Sequence, residues 1–142
     1  MTKITHISCV IIAKDAAATI AATLDALTAF EDVVLYLNNT SDQTEKIASG
    51  YANVTIIDGE FLGFGPTKNA AARYVKKSWI LSLDADEVLG GELLESLQNL
   101  NPKPKTLYAL KRENYYKKQL VKHCWGEDTI LRLYNKDETS FT

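Results

Sequence analysis

The sequence contains only two cysteines, Cys9 and Cys124, among its 142 residues. Their number and wide separation fit neither a disulfide framework nor a zinc site, so we expect two reduced thiols. The longest purely apolar run, residues 9–13, is far too short to cross a bilayer. The N-terminus also lacks the basic and then apolar layout of a secretory signal. These absences predict a cytoplasmic protein.

No single sign of charge dominates the chain. Its 16 basic and 18 acidic residues give a formal net charge of -2, which argues against nucleic-acid binding through a broad positive surface. Basic residues cluster locally at 111–112 and 117–122, where a solvated face is the first explanation and contact with a membrane or an anionic substrate the second. With 46% hydrophobic and 24% charged residues, the chain suits one globular domain, residues 1–142.

Short apolar segments alternate with helical patterns along most of the chain. Apolar, β-branched segments predict strands at residues 4–13, 32–37, 54–57 and 79–83. Helical spacing or composition predicts helices at residues 15–27, 42–51, 66–77 and 91–100. This alternation favours an α/β fold with a mostly parallel sheet flanked by helices. Residues 106–116 and 129–134 resemble strands with no helix between them, which predicts an antiparallel extension in the C-terminal part.

Three residues are predicted to mark where helices begin. Asp15 follows the first strand as an expected N-cap. Pro66 is expected at the first helical position, where its missing N–H has no consequence. Glu87 is expected to start the helix that buries the leucines after residue 91, because acidic side chains suit a helix N-terminus.

Polar loops follow each predicted parallel strand, at residues 13–15, 38–42, 63–69 and 84–87. Ligands of such sheets bind beyond the carboxyl ends of the strands, so these loops are expected to converge. The glycine-containing loop at 63–69 matches neither the Walker A spacing nor the GxGxxG pattern of dinucleotide-binding folds. Kinase-like and dehydrogenase functions are therefore disfavoured.

Three acidic residues, Asp84, Asp86 and Glu87, follow the buried strand at 79–83. Carboxylates so close together repel each other, and a divalent cation shared with phosphate oxygens offsets that repulsion. The cluster therefore suggests a Mg²⁺ or Mn²⁺ site. A solvated turn and helix start is an equally good explanation of the cluster taken alone.

Four segments in this order carry a family resemblance: Asn-Asn-Thr-Ser-Asp-Gln-Thr, Gly-Phe-Gly-Pro-Thr-Lys-Asn-Ala-Ala, Trp-Ile-Leu-Ser-Leu-Asp-Ala-Asp-Glu and Trp-Gly-Glu-Asp-Thr-Ile-Leu-Arg-Leu-Tyr. Together they resemble the GT-A family 2 glycosyltransferases over nearly the whole chain. The resemblance is closest to the branch that adds sugars to the bacterial lipopolysaccharide core. It implies a GT-A fold and a UDP-sugar donor.

The resemblance also implies roles for individual residues. Asp86 would coordinate Mn²⁺ or Mg²⁺, Asp84 would hold ribose or sugar hydroxyls, and Lys68 would add positive charge near the leaving group. The other residues expected at the nucleotide-sugar are Ala13, Lys14, Asp15, Asn39, Ser41, Asp42 and Ala85. One departure stands out, because the family commonly has an acidic residue where Leu37-Asn38-Asn39 stand.

Inverting transfer requires a general base for the acceptor hydroxyl. The resemblance assigns this role to Asp128, with Glu127 as the adjacent alternative; an acidic turn before a strand is the competing explanation. The expected acceptor is a glycan or a lipid-linked precursor, reached at the cytoplasmic face of the inner membrane.

The resemblance divides the chain into a donor-binding part, residues 1–103, and the start of an acceptor-side region, residues 104–142. The second part is expected to be incomplete, because family members continue further. Two other functions stay open: a non-catalytic or truncated nucleotide-sugar-binding domain, and a nucleotidyltransferase. The second usually has a glycine-rich basic loop after its first strand, which Ala13-Lys14-Asp15-Ala16 does not provide.

Overall fold

The computed structural model of the chain describes residues 3–103, 108–111, 115–117 and 129–137. Its strands are β1 (Ile4–Ala13), β2 (Phe30–Leu37), β3 (Val54–Asp58), β4 (Trp79–Asp84), β5 (Glu87–Leu89), β6 (Tyr108–Lys111), β7 (Tyr115–Lys117) and β8 (Thr129–Asn135). Its helices are α1 (Ile20–Asp25), α2 (Thr44–Ala48), α3 (Phe64–Ala72) and α4 (Gly91–Asn99).

Six of the strands form one mixed sheet in the order β3-β2-β1-β4-β8-β6. The first four of these strands are parallel, whereas β8 runs antiparallel to both β4 and β6. Strands β5 and β7 form a separate antiparallel pair. The predicted α/β fold, with a mostly parallel sheet and an antiparallel extension, is therefore confirmed.

The central strand β1 is covered on both faces, which explains its unbroken apolar sequence. On one face, Cys9 and Ile11 are fully buried in a cluster that includes side chains from α1, α2 and α4. On the other face, Val10 belongs to a cluster that includes Ala71 and Ala72 of α3. Complete burial of an aliphatic side chain such as Ile11 stabilises the fold by about 1.5–3 kcal/mol.

The helices are shorter than the sequence pattern predicts. Helix α1 begins at Ile20, so the expectation that Asp15 caps it was wrong; Asp15 lies in the preceding turn with φ +50°. Helix α2 covers Thr44–Ala48 instead of 42–51. Helix α3 begins two residues before Pro66 and ends at Ala72, before the predicted end near 77. Pro66 is still tolerated, because the first four N–H groups of a helix lack intrahelical partners.

Glu87 was wrongly predicted to begin a helix. It is the first residue of β5, and only 1% of its surface is exposed. The pairing of β5 with β7 explains the difference, because it keeps the backbone extended until Gly90. Helix α4 then begins at Gly91. Among the described residues, no helix combines the length and apolar character that a membrane crossing requires.

Candidate functional site

The strand register brings the carboxyl ends of the parallel strands to one edge of the sheet. Ile12 pairs with Asp84, while Ala13 pairs with Leu37, which in turn pairs with Asp58. The polar segments after β1, β2 and β4 therefore lie side by side, as the sequence predicts. In open α/β sheets, this edge is where ligands bind.

The loops after β1 and β2 are tied together through Asp15. Its Oδ1 atom accepts hydrogen bonds from the backbone N–H groups of Ser41, at 2.8 Å, and Asp42, at 3.2 Å. Asp15 and Asn39 also have positive φ angles, of 50° and 51°. Such backbone conformations are uncommon outside glycine and cluster at functional sites. The two loops thus hold a specific shape.

Asp42, in the loop after β2, bonds in turn to the segment after β1. Its Oδ2 accepts a hydrogen bond from the N–H of Ala17 at 3.1 Å, and its Oδ1 accepts one from the N–H of Thr44 at 2.9 Å. The Thr44 hydroxyl also donates to Asp42, and its oxygen accepts from the N–H of Ala16 at 2.8 Å. The hydrogen bond from the Thr44 hydroxyl is the main reason that the pKa of Asp42 is lowered. We call the contacts of Asp15, Asp42 and Thr44 the loop clamp.

Other polar groups of these loops lie beside the clamp. Lys14 and Asn39 are exposed at the surface, while Ala13 is buried at the end of β1. The Thr40 hydroxyl oxygen is enclosed and has no hydrogen-bond partner within the described ranges. A buried hydroxyl normally has a partner. The two loops therefore present two exposed side chains beside the clamp, Lys14 after β1 and Asn39 after β2.

The end of β4 and the turn that follows it carry the two aspartates of the acidic cluster: Asp84 is the last residue of β4, and Asp86 lies in the turn. Asp84, Ala85 and Asp86 are all half-buried. The carbonyl oxygen of Ala85 accepts hydrogen bonds from the hydroxyls of Thr19, at 2.9 Å, and Thr23, at 2.8 Å. The turn is thereby anchored to the beginning of α1, 62 residues away in sequence from Thr23.

Glu87 differs in environment from the two aspartates. Its Oε1 atom accepts a hydrogen bond from the backbone N–H of Asp84 at 2.7 Å, and its side chain is buried.

Within the described ranges, no three His, Cys, Asp or Glu side chains are arranged to hold a metal ion. Among the described residues, Asp84 and Asp86 are the two half-buried carboxylates at this turn, and a cation bound to them would take other oxygens from phosphates or water. Mg²⁺ commonly binds in this manner.

The loop between β3 and α3 contains Gly63, whose φ of +100° and ψ of 160° are accessible mainly to glycine. The hydroxyl oxygen of buried Thr67 accepts a hydrogen bond from the N–H of Leu62 at 2.8 Å and closes the loop. Lys68 follows in α3 and is half-buried. Phe61 and Leu62 are exposed at the surface, 45% and 53% respectively.

The structure brings together most of the predicted donor-site residues but does not test the predicted base. Glu127 and Asp128 lie outside the described residues. Conversely, local sequence patterns do not identify the anchoring residues Thr19 and Thr23. Their spacing of four is the only available signal, because it places two hydroxyls near one another at the start of an alanine-rich helix.

Comparison with known proteins agrees with this geometry. The sequence profile of glycosyl transferase family 2 matches residues 8–137. An uncharacterized glycosyltransferase of Rickettsia typhi is 29% identical over 141 residues, which cover 95% of this chain and 48% of the relative. A second from Rickettsia bellii is 26% identical over 140 residues, with the same coverage. The chain thus spans about half the length of the curated relatives it matches.

Similar folds occur in solved structures. TarS 1–349 from S. aureus, in complex with UDP-GlcNAc, has a TM-score of 0.58 and 21% identity, covering 64% of this chain and 29% of that chain. The mannosyltransferase PcManGT from Pyrobaculum calidifontis, in complex with GDP-Man and Mn²⁺, has a TM-score of 0.56 and 18% identity, covering 66% and 30%. These similarities agree with the GT-A fold. Because the family profile matches most of its length, the chain belongs to glycosyl transferase family 2.

Proposed function

We propose that this chain binds a nucleotide-sugar, of the UDP class, as the donor-binding part of an inverting glycosyltransferase. The observation that carries the proposal is the convergence of three polar segments at the carboxyl edge of the sheet. The loops after β1 and β2 are tied together, and the turn with Asp84 and Asp86 lies next to them. A nucleoside and its diphosphate need neighbouring sites of this kind.

Asp84 and Asp86 are proposed to receive the diphosphate end of the donor. Asp86 would hold Mn²⁺ or Mg²⁺, and Asp84 would accept hydrogen bonds from ribose or sugar hydroxyls. The bound ion would supply Lewis-acid stabilisation of the negative charge on the departing nucleoside diphosphate. The complex of PcManGT with GDP-Man and Mn²⁺ supports a metal-assisted donor site by analogy.

The nucleoside is proposed to bind along the loops after β1 and β2. Ala13 supplies backbone contacts, and the exposed Lys14 and Asn39 supply side-chain contacts. Asp15, Ser41 and Asp42 remain part of the proposed site. The carboxylates of Asp15 and Asp42 accept hydrogen bonds within the loop clamp. We therefore assign these two residues chiefly to holding the loops in shape.

Lys68 is proposed to strengthen the electrostatic attraction for the diphosphate. It lies in the second turn of α3, the helix that begins just beyond the carboxyl end of β3. A cation near a departing phosphate stabilises developing negative charge in the same sense as a metal ion. Its contribution is expected to be smaller than that of Asp86, because a single lysine neutralises one charge.

Asp128 is proposed to deprotonate the acceptor hydroxyl, with Glu127 as the alternative base. Together with residues 104–142, it would belong to the acceptor side, while residues 1–103 bind the donor. The proposed acceptor is a glycan or a lipid-linked precursor of bacterial lipopolysaccharide or another cell-surface polymer, approached at the cytoplasmic face of the inner membrane.

A panel of nucleotides and nucleotide-sugars tests the proposed donor class. UDP, UDP-GlcNAc, UDP-glucose and GDP-mannose are each added with Mn²⁺, and the midpoint of urea unfolding is measured. A ligand at about 100 times its Kd raises the free energy of unfolding by about 2.7 kcal/mol. Stabilisation by the uridine ligands alone supports the proposal, whereas stabilisation by GDP-mannose alone contradicts the UDP assignment.

Transfer itself is tested with the Asp128→Asn variant and a hydrolysis assay. Release of UDP from the best donor, with water or a simple sugar as acceptor, is expected for the wild type and lost in the variant. Donor binding by the variant should be unchanged. If neither protein releases UDP although both bind the donor, the chain functions as a binding domain and the catalytic part of the proposal is wrong.

A further inference from the structure

We infer that Thr19, Thr23 and Glu87 are positioning residues that fix the turn of Asp84, Ala85 and Asp86 in its ligand-binding conformation. This inference rests on the proposed function, because it assigns the three residues to the proposed metal and diphosphate site. It goes further in naming side chains that would not touch the ligand yet determine how tightly the ligand binds.

The two threonines hold one carbonyl group from the side of α1. Both hydroxyls donate to the oxygen of Ala85, at 2.9 Å from Thr19 and 2.8 Å from Thr23. Thr19 precedes the first residue of α1, where a threonine normally accepts a hydrogen bond from a helix N–H. Here it makes no side-chain cap of that kind. Its hydroxyl therefore anchors the turn instead of the helix.

Glu87 holds the same turn from the side of β5. Its Oε1 accepts a hydrogen bond from the N–H of Asp84 at 2.7 Å, and the residue is 1% exposed. Burying a carboxylate is unfavourable unless hydrogen bonds compensate, whereas an apolar residue here would bury without that penalty. The hydrogen bond from Asp84 offsets part of the cost of burying the polar end of Glu87.

These contacts restrain the backbone that separates the two aspartates. The N–H of Asp84 is bound by Glu87, and the carbonyl of Ala85 is bound by the threonines. The N–H of Asp84 belongs to the peptide plane between Leu83 and Asp84, and the carbonyl of Ala85 to the plane between Ala85 and Asp86. Because both groups are fixed, the peptide plane before each of the two aspartates has little freedom to rotate. The directions in which the two carboxylates leave the backbone are thereby set before any ligand arrives.

Outer partners of this kind commonly change metal affinity by about 10–100-fold when they are removed. We expect an effect of this size on Mn²⁺-dependent UDP binding when the Thr23 hydroxyl is lost. The substitutions Thr23→Val and Thr23→Ser form a matched pair, since valine keeps the shape and serine keeps the hydroxyl. Glu87→Ala and Glu87→Gln form a second pair, because glutamine retains an oxygen that can accept from Asp84.

Calorimetric titration of each variant with UDP at fixed Mn²⁺, together with its melting temperature without ligand, tests the inference. Thr23→Val and Glu87→Ala should bind about 10–100-fold more weakly, while Thr23→Ser and Glu87→Gln recover most of the affinity. Ser8→Ala is the stability control. It removes a buried hydroxyl from the middle of β1, four residues before Ile12, which pairs with Asp84, and should lower the melting temperature with unchanged affinity.

Two outcomes would overturn the inference about the positioning residues and leave the proposed function intact. If the wild type binds UDP with Mn²⁺ and Thr23→Val binds equally well, the turn does not need this anchor. If Ser8→Ala loses as much affinity as Thr23→Val, the effect reflects general stability. Thr19→Val repeats the test at a half-buried position should Thr23→Val not fold. Failure of the wild type to bind UDP with Mn²⁺ would instead refute the proposed function.

Discussion

Ser8 of β1 and Asp32 of β2 are joined by a buried hydrogen bond of 2.7 Å, from the serine hydroxyl to Oδ2 of the aspartate. The same Oδ2 atom accepts from the backbone N–H of Lys76 at 2.7 Å, and the Ser8 oxygen accepts from the N–H of Lys77 at 3.1 Å. This polar cluster ties the segment after α3 to β1 and β2. Its Ser8 and Asp32 lie four or more residues before the carboxyl ends of their strands, where the candidate site is. Stability and ligand binding can therefore be changed separately.

Replacing Asp32 by alanine should destabilise the fold without weakening UDP binding. Hydrogen bonds to a charged group contribute about 1.5–3 kcal/mol each, and their loss leaves the Ser8 hydroxyl and the Lys76 N–H without this acceptor. We expect the free energy of unfolding, measured in urea, to fall by about 2–3 kcal/mol. The affinity for UDP, measured well below the melting temperature, should stay within about twofold, which is under 0.5 kcal/mol. A parallel loss of affinity would show that the polar cluster and the candidate site are coupled.

The loop clamp predicts an acid-sensitive contribution from Asp42. Its folded-state pKa lies below the ordinary value of 3.8, chiefly because the Thr44 hydroxyl donates to the carboxylate. The ionised side chain therefore stabilises the fold above pH 3.8, and this stabilisation is lost as the pH falls through the folded-state pKa.

Urea unfolding of the wild type and Asp42→Asn, from neutral pH downward, checks this expectation. The variant should be less stable at neutral pH. The difference in the free energy of unfolding between the wild type and the variant should decrease once the pH falls below 3.8. Glu95→Gln removes an exposed carboxylate of α4 and is the matched control. A gap between wild type and Asp42→Asn that stays constant with pH would contradict the role of the ionised carboxylate.

Substitution by alanine should have different effects on the free energy of unfolding at Gly63 and at Gly91. At Gly63, φ +100° and ψ 160° are unfavourable for any side chain, so Gly63→Ala should lower the free energy of unfolding by about 1–3 kcal/mol. Contact is not the cause, since the nearest atom to an added Cβ is Pro66 Cδ at 3.7 Å.

Gly91 is the control position, at the start of α4, where an added Cβ meets nothing within 4 Å. Gly91→Ala should be neutral or stabilising by up to about 1 kcal/mol, because alanine restricts the unfolded chain. Thermal unfolding of both variants measures the difference. Equal changes in the two variants would argue against the backbone conformation described at Gly63.

Cys9 should be chemically inert in the folded chain. It is fully buried, and burial, together with the charge of Asp32, raises the pKa of its thiol well above the usual value. Thiolate is the reactive form, so alkylation is expected to be slow until the chain unfolds. A Cys124→Ser variant leaves Cys9 as the only thiol. Rapid modification of this variant by a thiol reagent under native conditions would contradict the packing around β1.

Local sequence patterns predicted the strands well because buried parallel strands have continuous apolar runs. Residues 4–13 match β1 in full, and β4 extends one residue past its predicted end. Helix boundaries were predicted less well. Residues 15–19 form a turn, because Asp15 bonds to the loop after β2 instead of capping α1. A contact between residues 26 positions apart leaves no local periodic signal.

The candidate site was predicted in outline but not in its internal organisation. The acidic turn follows β4 as expected, yet Glu87 is buried in β5, and Thr19 and Thr23 approach Ala85 from more than 60 positions away. Acidic residues after a strand are typical of a helix start, and only the pairing with β7 reveals another structure here. Tertiary contacts therefore decided which of the three acids became buried.

Calorimetric titration of UDP into the wild-type chain, with Mn²⁺ and again with a chelator, tests the central claim most directly. The proposed site at Asp84 and Asp86 predicts measurable binding with Mn²⁺, and at least tenfold weaker binding with chelator or in Asp86→Ala, equivalent to about 1.4 kcal/mol. Glu95→Ala, which removes an exposed acid of α4, should bind as the wild type does. Absence of binding with Mn²⁺, or equal affinity in chelator and in Asp86→Ala, would contradict a metal-dependent donor site at this turn.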